Sequence, residues 1–255
     1  MRKHKNAKIT IDKILVFLLL FLMTLVIPRI AAAMVMWLQN RVIYGDSYTI
    51  KVLHQLFQGL LAVLALRLLL RKPFAELGFK LGSSRQGIKY TVCFLVVWTG
   101  IVVAFYIVSL HLYPGFAQYI LGYYQPDIET LIRTLSYEGI MPGLGEEPLY
   151  RALVILPLMK YWDGSIHIGR LKLPHAVLLS GLIFAVGHIG FTFIPFRLVS
   201  IDYLQVIFNF ILGIWWGMIF IKTRSLLWSV IAHSGSNFMM YLIGFLTAFI
   251  LTNKY

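Results

Sequence analysis

The chain has 255 residues, 59% hydrophobic and 13% charged, with a net charge of +13 and one cysteine, Cys93. A soluble domain carries roughly 25% charged residues, so an ordinary water-soluble fold is excluded, and the long apolar runs exclude the short alternating segments of a membrane barrel. One cysteine excludes a disulfide framework or thiolate metal cluster, and no basic stripe or aromatic platform in a soluble module points to nucleic acid.

The N-terminus, MRKHKNAKITIDK, is basic and leads into ILVFLLLFLMTLVI. The apolar run continues past Pro28 to Trp37, and more apolar residues follow Ala31, Ala32 and Ala33. The segment therefore reads as an uncleaved first helix and not a signal peptide. Apolar stretches of about 20 residues predict spanning helices at 14–38, 50–70, 88–110, 141–160, 175–194, 204–221 and 225–252. The last is long for one span, and a break near Gly235 or Gly244 would give a seventh helix plus a short eighth. The segment 114–139 is too polar to span. There Asp127, Glu129, Arg133 and Glu138 alternate with Ile128, Leu131, Ile132 and Leu135, which predicts an amphipathic helix lying at the interface. The expected fold class is an all-α polytopic membrane protein of about seven to eight transmembrane helices plus an interfacial amphipathic helix, in a single membrane domain over 1–255.

Loop charges orient these helices. Arg2, Lys3, Lys5 and Lys8 precede the first. Arg67, Arg71, Lys72, Lys80, Arg85 and Lys89 fall in or flank the 67–89 loop. Lys160, Arg170, Lys172, Lys222 and Arg224 mark later turns. The alternate loops 39–49, 111–127 and 195–203 are poorer in Lys and Arg. The positive-inside rule then predicts a cytoplasmic N-terminus in a multi-pass cell-membrane protein, with the start of the 141–160 helix toward the outer leaflet.

Three polar clusters fall at membrane depth, where charge costs about 2.5–3.5 kcal/mol per residue on insertion scales. The first is Glu146, Glu147 and Arg151 in GLGEEPLYR. Pro142, Gly143 and Gly145 predict a helix start just before it, with Pro148 tolerated in the first turn and the glutamates favoured by the helix dipole. Glu147 and Arg151, four apart, face each other, which leaves Glu146 free. The second cluster is His188 in IFAVGHIG. The third is His233 with Asn237 in IAHSGSNF, four apart on one helix face. Each has a plain structural reading: an ion pair, or a hydrogen bond between helices. Arg29, beside Pro28, is expected to snorkel or to contact another helix, and Asn209 to join helices. His4 and His167 fall in basic loops, and His54, His111 and His175 near helix ends.

Taken together, a carboxylate pair, two histidines and an amide on three helices form a hydrolytic set. Glu146 can serve as general base on a water. Two imidazoles can bind a divalent metal or orient the water, which makes His188, His233 and Glu146 the candidate ligands of an ion such as zinc. His233 and Asn237 can donate hydrogen bonds to a developing oxyanion. No G-x-S-x-G turn supplies a serine nucleophile.

EEPLYR fits the pattern E-E-x-x-x-R, FAVGH fits F-x-x-x-H and HSGSN fits H-x-x-x-N, in that order. The chain thereby resembles the CPBP (Abi) family of intramembrane proteases, which includes the type II CAAX prenyl endopeptidases, over about 140–240. The resemblance implies an intramembrane endopeptidase acting on a membrane-associated peptide or protein. In it Glu146 activates water with help from His188. His233 and Asn237 hold the oxyanion, or His233 binds a metal, and Glu147 and Arg151 shape the site. It equally allows a metalloprotease or a glutamate-dependent one, and H-E-x-x-H is absent. Ala152 and Arg224 stand where the family often has glycine. Two other readings compete. One is a catalytically idle regulator or bacteriocin-immunity scaffold that acts by partner binding. The other, a proton-coupled transporter, is disfavoured by the odd helix count and the lack of an inverted repeat.

Overall fold

The computed structural model describes residues 2–42, 45–125 and 127–253, with side chains from Ile11 onward. The basic side chains of Arg2, Lys3, Lys5 and Lys8, used above to orient the chain, lie outside the described residues. The chain is mostly helical. Three long helices, α1 (Arg2–Gln39), α2 (Ser47–Leu70) and α3 (Ser84–Leu112), are followed by two short ones, α4 (Phe116–Tyr123) and α5 (Ile128–Glu138). Next come α6 (Met141–Glu147), a π-helical segment (Pro148–Ile155) and α7 (Leu156–Tyr161) in unbroken succession. A hairpin of β1 (Ser165–Ile168) and β2 (Leu171–Pro174) leads to α8 (His175–Val186). A second hairpin, β3 (Gly190–Phe193) and β4 (Phe196–Ser200), leads to α9 (Tyr203–Thr223) and α10 (Leu226–Thr252). Both hairpins are antiparallel.

Among the described residues, five helices are long and apolar enough to cross a membrane: Ile11–Gln39 of α1, and α2, α3, α9 and α10. Their outward faces carry exposed Leu15, Leu60, Val96, Ile211 and Phe249, the surface that lipid covers in a membrane protein. Inside, Phe94, Leu149, Leu153, Phe184, Trp216 and Phe220 form one apolar core. Short polar residues begin the helices where the chain leaves a loop. Asp46, Asp127 and Asp202 accept from the backbone N–H of Thr49, Thr130 and Gln205, which satisfies amides the helix itself leaves open. Those bonds hold the carboxyls of Asp46 and Asp127 below the ordinary carboxylate range.

Three expectations change. The helix expected over 175–194 stops at Val186: Gly187 N–H makes one more helical bond, to Ile183 O, and the following residues turn and pair as the β3–β4 hairpin. A side chain at position 187 would also press on the Tyr150 hydroxyl. The helix expected over 225–252 does not break. Gly235 and Gly244 instead make room for Leu95 and for the Tyr124 ring, so these glycines serve close packing. Finally, Pro148 is not in a first turn. The helix starts seven residues earlier, with Pro142 in its first turn. Pro148 has no N–H for the turn before it, and the chain passes it by widening into the π-helical segment, a winding common at functional sites.

Two further residues find their places. Arg29 is exposed and lies over the second hairpin, with its guanidinium 4.1 Å from the Phe193 ring centroid and 5.1 Å from that of Phe191. The Nδ2 of Asn209 is buried without a partner among the described residues, so that nitrogen makes no bond between helices there. Arg224 caps α9 in the left-handed conformation, φ 54°, the backbone state that favours glycine at a helix end.

Glycine also sets how α6 enters the bundle. A Cβ at Gly59 would lie 2.7 Å from Leu144 O, one at Gly145 2.7 Å from Gln55 O, and one at Gly143 2.9 Å from Val230 O. Backbone meets backbone here, which clamps α6 between α2 and α10. Gly145→Ala is expected to destabilise the protein by about 1–3 kcal/mol, the usual cost of overpacking, lowering its unfolding temperature in detergent. Gly100→Ala, with nothing within 4 Å of the added carbon, serves as the unchanged control.

Candidate active site

The centre of the bundle holds a buried ion pair. Glu147 and Arg151 are both fully buried and lie one turn apart. Arg151 Nε donates to Glu147 Oε2 at 2.9 Å, and Nη2 to Oε1 at 3.4 Å. Pro148 does not disturb this spacing, because Glu147 and Pro148 both keep helical backbone angles. Nη1 of Arg151 donates to Ser180 Oγ on α8 at 3.3 Å and to Gly213 O on α9 at 3.1 Å. Ser180 Oγ in turn donates to Tyr150 O at 2.8 Å. A Cβ at Gly213 would lie 3.0 Å from Gly181 Cα, so two glycines bring α8 and α9 close enough for the Gly213 carbonyl to reach the guanidinium. The guanidinium also lies 5.2 Å from the Phe184 ring centroid and 5.7 Å from that of Trp216, within cation–π range.

Glu147 carries a second bond. His233 Nδ1 donates to Glu147 Oε1 at 2.9 Å. The imidazole is stacked flat on Trp216, with centroids 3.9 Å apart, and Phe184 meets it edge-on at 6.0 Å. His188 sits just past the end of α8, in the turn before β3. It is anchored through Nδ1 to Phe184 O at 2.8 Å, and its ring lies 4.6 Å from that of Phe184. The two motif histidines therefore flank one aromatic ring. A carbonyl and a carboxylate accept, so each histidine donates at Nδ1 and turns Nε2 away from its anchor.

Glu146 behaves differently from its neighbour. It is half-buried and accepts one hydrogen bond, from Gln55 Nε2 on α2 at 3.1 Å. No ion pair to it is formed among the described residues. Gln58 donates to Gly145 O at 3.2 Å, fixing the same helix from the same side. Both carboxylates lie in the last positions of α6, beyond its first turn, so side chains hold them and the helix dipole does not. Asn237, expected at the oxyanion, uses Nδ2 to donate to Glu138 Oε2 at 3.4 Å.

The structure thus joins Glu147, Arg151 and His233 directly and sets His188 across Phe184. Glu146 is bonded instead to Gln55 and Asn237 to Glu138. Sequence reasoning missed Gln55, although two glutamines inside an apolar span are a costly and telling feature. Glu138 was visible only as part of an amphipathic face, and nothing in the sequence singled out Trp216. For a divalent ion, two imidazoles with Nδ1 anchored are suitable donors. However, no three His, Cys, Asp or Glu side chains gather closely enough to hold one among the described residues. His188, His233 and Glu146 do not gather as such a group among those residues.

Residues 129–239, from α5 to the middle of α10, match a family model described as Type II CAAX prenyl endopeptidase Rce1-like. The chain carries an Rce1-like domain of the CPBP family. The family indicates an intramembrane protease of the CAAX type in a multi-pass membrane protein with a membrane-associated substrate. All of the pattern residues from Glu146 to Asn237 fall inside the matched segment, and Gln55 falls outside it. No curated protein and no solved structure matches the chain.

Arg151→Met is expected to destabilise the protein by about 3–5 kcal/mol, because it strands a buried carboxylate. The double variant Glu147→Leu/Arg151→Met, which removes both charges, is expected to recover most of that loss. Unfolding temperatures of the three proteins in one detergent check both statements.

Proposed function

We propose that the protein is an endopeptidase that hydrolyses a peptide bond of a membrane-associated protein or peptide, with Glu146 as the base that activates water. One observation carries this reading: two adjacent carboxylates stand in opposite states. Glu147 is fully buried and already accepts three hydrogen bonds, two from Arg151 and one from His233, which commits it to the ion pair. Glu146 holds a single neutral amide and keeps lone pairs free for the proton of a water.

The reaction follows from those states. A water between Glu146 and His188 transfers one proton to Glu146, while its remaining O–H stays intact and donates a hydrogen bond to His188 Nε2. Its oxygen attacks the scissile carbonyl carbon, forming the C–O bond and moving the π electrons onto the carbonyl oxygen. Asn237 has a second Nδ2 hydrogen beyond the one on Glu138 and can donate it to that oxyanion. His233, whose Nδ1–H is given to Glu147, keeps Nε2 as an acceptor that can orient an N–H of the substrate beside the reacting carbonyl. As the oxyanion collapses the C–N bond breaks, and Glu146 returns its proton to the leaving nitrogen. Glu147 and Arg151 touch no reacting atom. They hold the helix that carries Glu146 and the ring that carries Nε2.

By the distribution of Lys and Arg, the protein lies in the cell membrane with its N-terminus in the cytoplasm and the Glu pair toward the outer leaflet. A reporter fused after Lys160 is then expected on the cytoplasmic side, and finding it outside would reverse the orientation.

The direct test compares membrane-derived peptide fragments, by mass spectrometry, from cells making wild-type protein or equal amounts of Glu146→Gln. Fragments found only with the wild type are expected, and they would identify substrate and cleavage site. Identical fragments, with a wild-type phenotype for the variant, would point to a regulator that acts by binding. Repeating the comparison on isolated membranes after chelation addresses metal: fragment formation is expected to persist, and a loss reversed by zinc would assign the ion a role.

A further inference from the structure

Beside the proposed catalytic residues lies a cavity of about 300 Å³, at the lower end of the range for ligand sites. The start of α2, the end of α4, α5 and the second half of α10 border it, and one side is open. Tyr48, Tyr123, Tyr124, Tyr137 and Tyr241 line it together with one carboxylate, Glu138. That carboxylate is tied to Asn237, so the cavity borders the centre described above.

The charges of the cavity are unequal in what they lack. Arg133 is already held by two carboxylates, Asp46 at 2.5 Å and Glu129 at 3.1 Å. Lys51 stands at the exposed rim, with its Nζ 5.9 Å from the Tyr137 ring centroid, which shows that this wall accepts an ammonium over its face. Glu138 is half-buried and has no ion pair among the described residues. Burial raises its carboxyl above the ordinary range and Glu146 adds to the effect, against a smaller opposing pull from the Tyr241 hydroxyl and Lys51. A desolvated carboxylate walled by tyrosine rings matches one ligand chemistry, a cation on an aliphatic stem: the ammonium or guanidinium meets the carboxylate and the ring faces take the charge from the sides.

We propose that this cavity receives a Lys or Arg side chain of the substrate, with Glu138 reading its charge and Asn237 linking that pocket to the reaction centre. The assignment rests on the protease reading above and adds to it a preference for a basic residue near the scissile bond.

The test uses full-length protein in lipid nanodiscs and a set of acylated, fluorescent peptides in which one Lys, Arg, norleucine or Glu is walked along the chain. Binding is measured on the Glu146→Gln protein and cleavage on the wild type. Lys or Arg peptides are expected to bind about tenfold more tightly than norleucine peptides at one position, in line with a desolvated cation–π and carboxylate contact. Glu138→Gln is expected to abolish that preference while leaving the affinity for the norleucine peptide unchanged. Lys51→Gln, a change at the exposed rim that cannot disturb the core, is expected to enlarge it. Equal binding of all peptides would overturn the proposal, and tighter binding of the Glu peptides would give the pocket to an acidic group read by Lys51. Cleavage without a basic preference would sink this proposal and leave the protease reading standing. A basic preference in binding, with no cleavage by the wild type, would do the reverse.

Discussion

The pair between Glu147 and Arg151 is the constraint on which the rest of the bundle depends. Two opposite charges sit fully buried in an apolar core, where each alone is very costly. The cost is offset only if every polar direction of both groups is met. That requirement reaches across the molecule: α8 must present Ser180, α9 must present Gly213 O, and α10 must present His233. The glycines at 143, 145, 181 and 213 follow from the same demand, since only bare backbone lets these helices approach closely enough. A bundle arranged around one ion pair in this way has little freedom to repack.

The ion pair also explains why two glutamates stand side by side. With Glu147 consumed by structure, its neighbour is delivered to the half-buried side of the same helix, where Gln55 from outside the matched domain meets it. The π-helical winding after Pro148 keeps residues 148–155 in the helical path while sparing the proline a bond it cannot make. Trp216 beneath His233 and Phe184 beside both histidines fix the rings from the apolar side as Glu147 and Phe184 O fix them from the polar side. Orientation of an imidazole by two kinds of contact is what a proton-handling group needs.

Much of this was legible in the sequence, for physical reasons that also mark its limits. Long apolar runs identify spanning helices because the bilayer demands length and hydropathy together, and α1, α2, α3, α9 and α10 accordingly lie where expected. The spacing of Glu147 and Arg151 announced their pairing, since helical periodicity is local. The end of α8 was not legible, because 187–194 is as apolar as a helix and nothing local marks the pairing of Gly190–Phe193 with Phe196–Ser200 that takes the chain away. Pro148 misled, because a proline marks a first turn more often than a π-helical segment. The partners of Glu146 and Asn237 come from α2 and α5, far away in sequence, and no local pattern can pair Gln55 with a residue 91 positions on.

The central claim is that the two adjacent carboxylates divide structure from chemistry. It is tested most directly by making Glu146→Gln and Glu147→Gln in parallel and measuring, for each, the unfolding temperature in detergent and the fragments produced in membranes. The account predicts that Glu146→Gln unfolds like the wild type and yields no fragments, and that Glu147→Gln unfolds at a clearly lower temperature. A Glu147→Gln protein as stable as the wild type, or a Glu146→Gln protein that still cleaves, would contradict it.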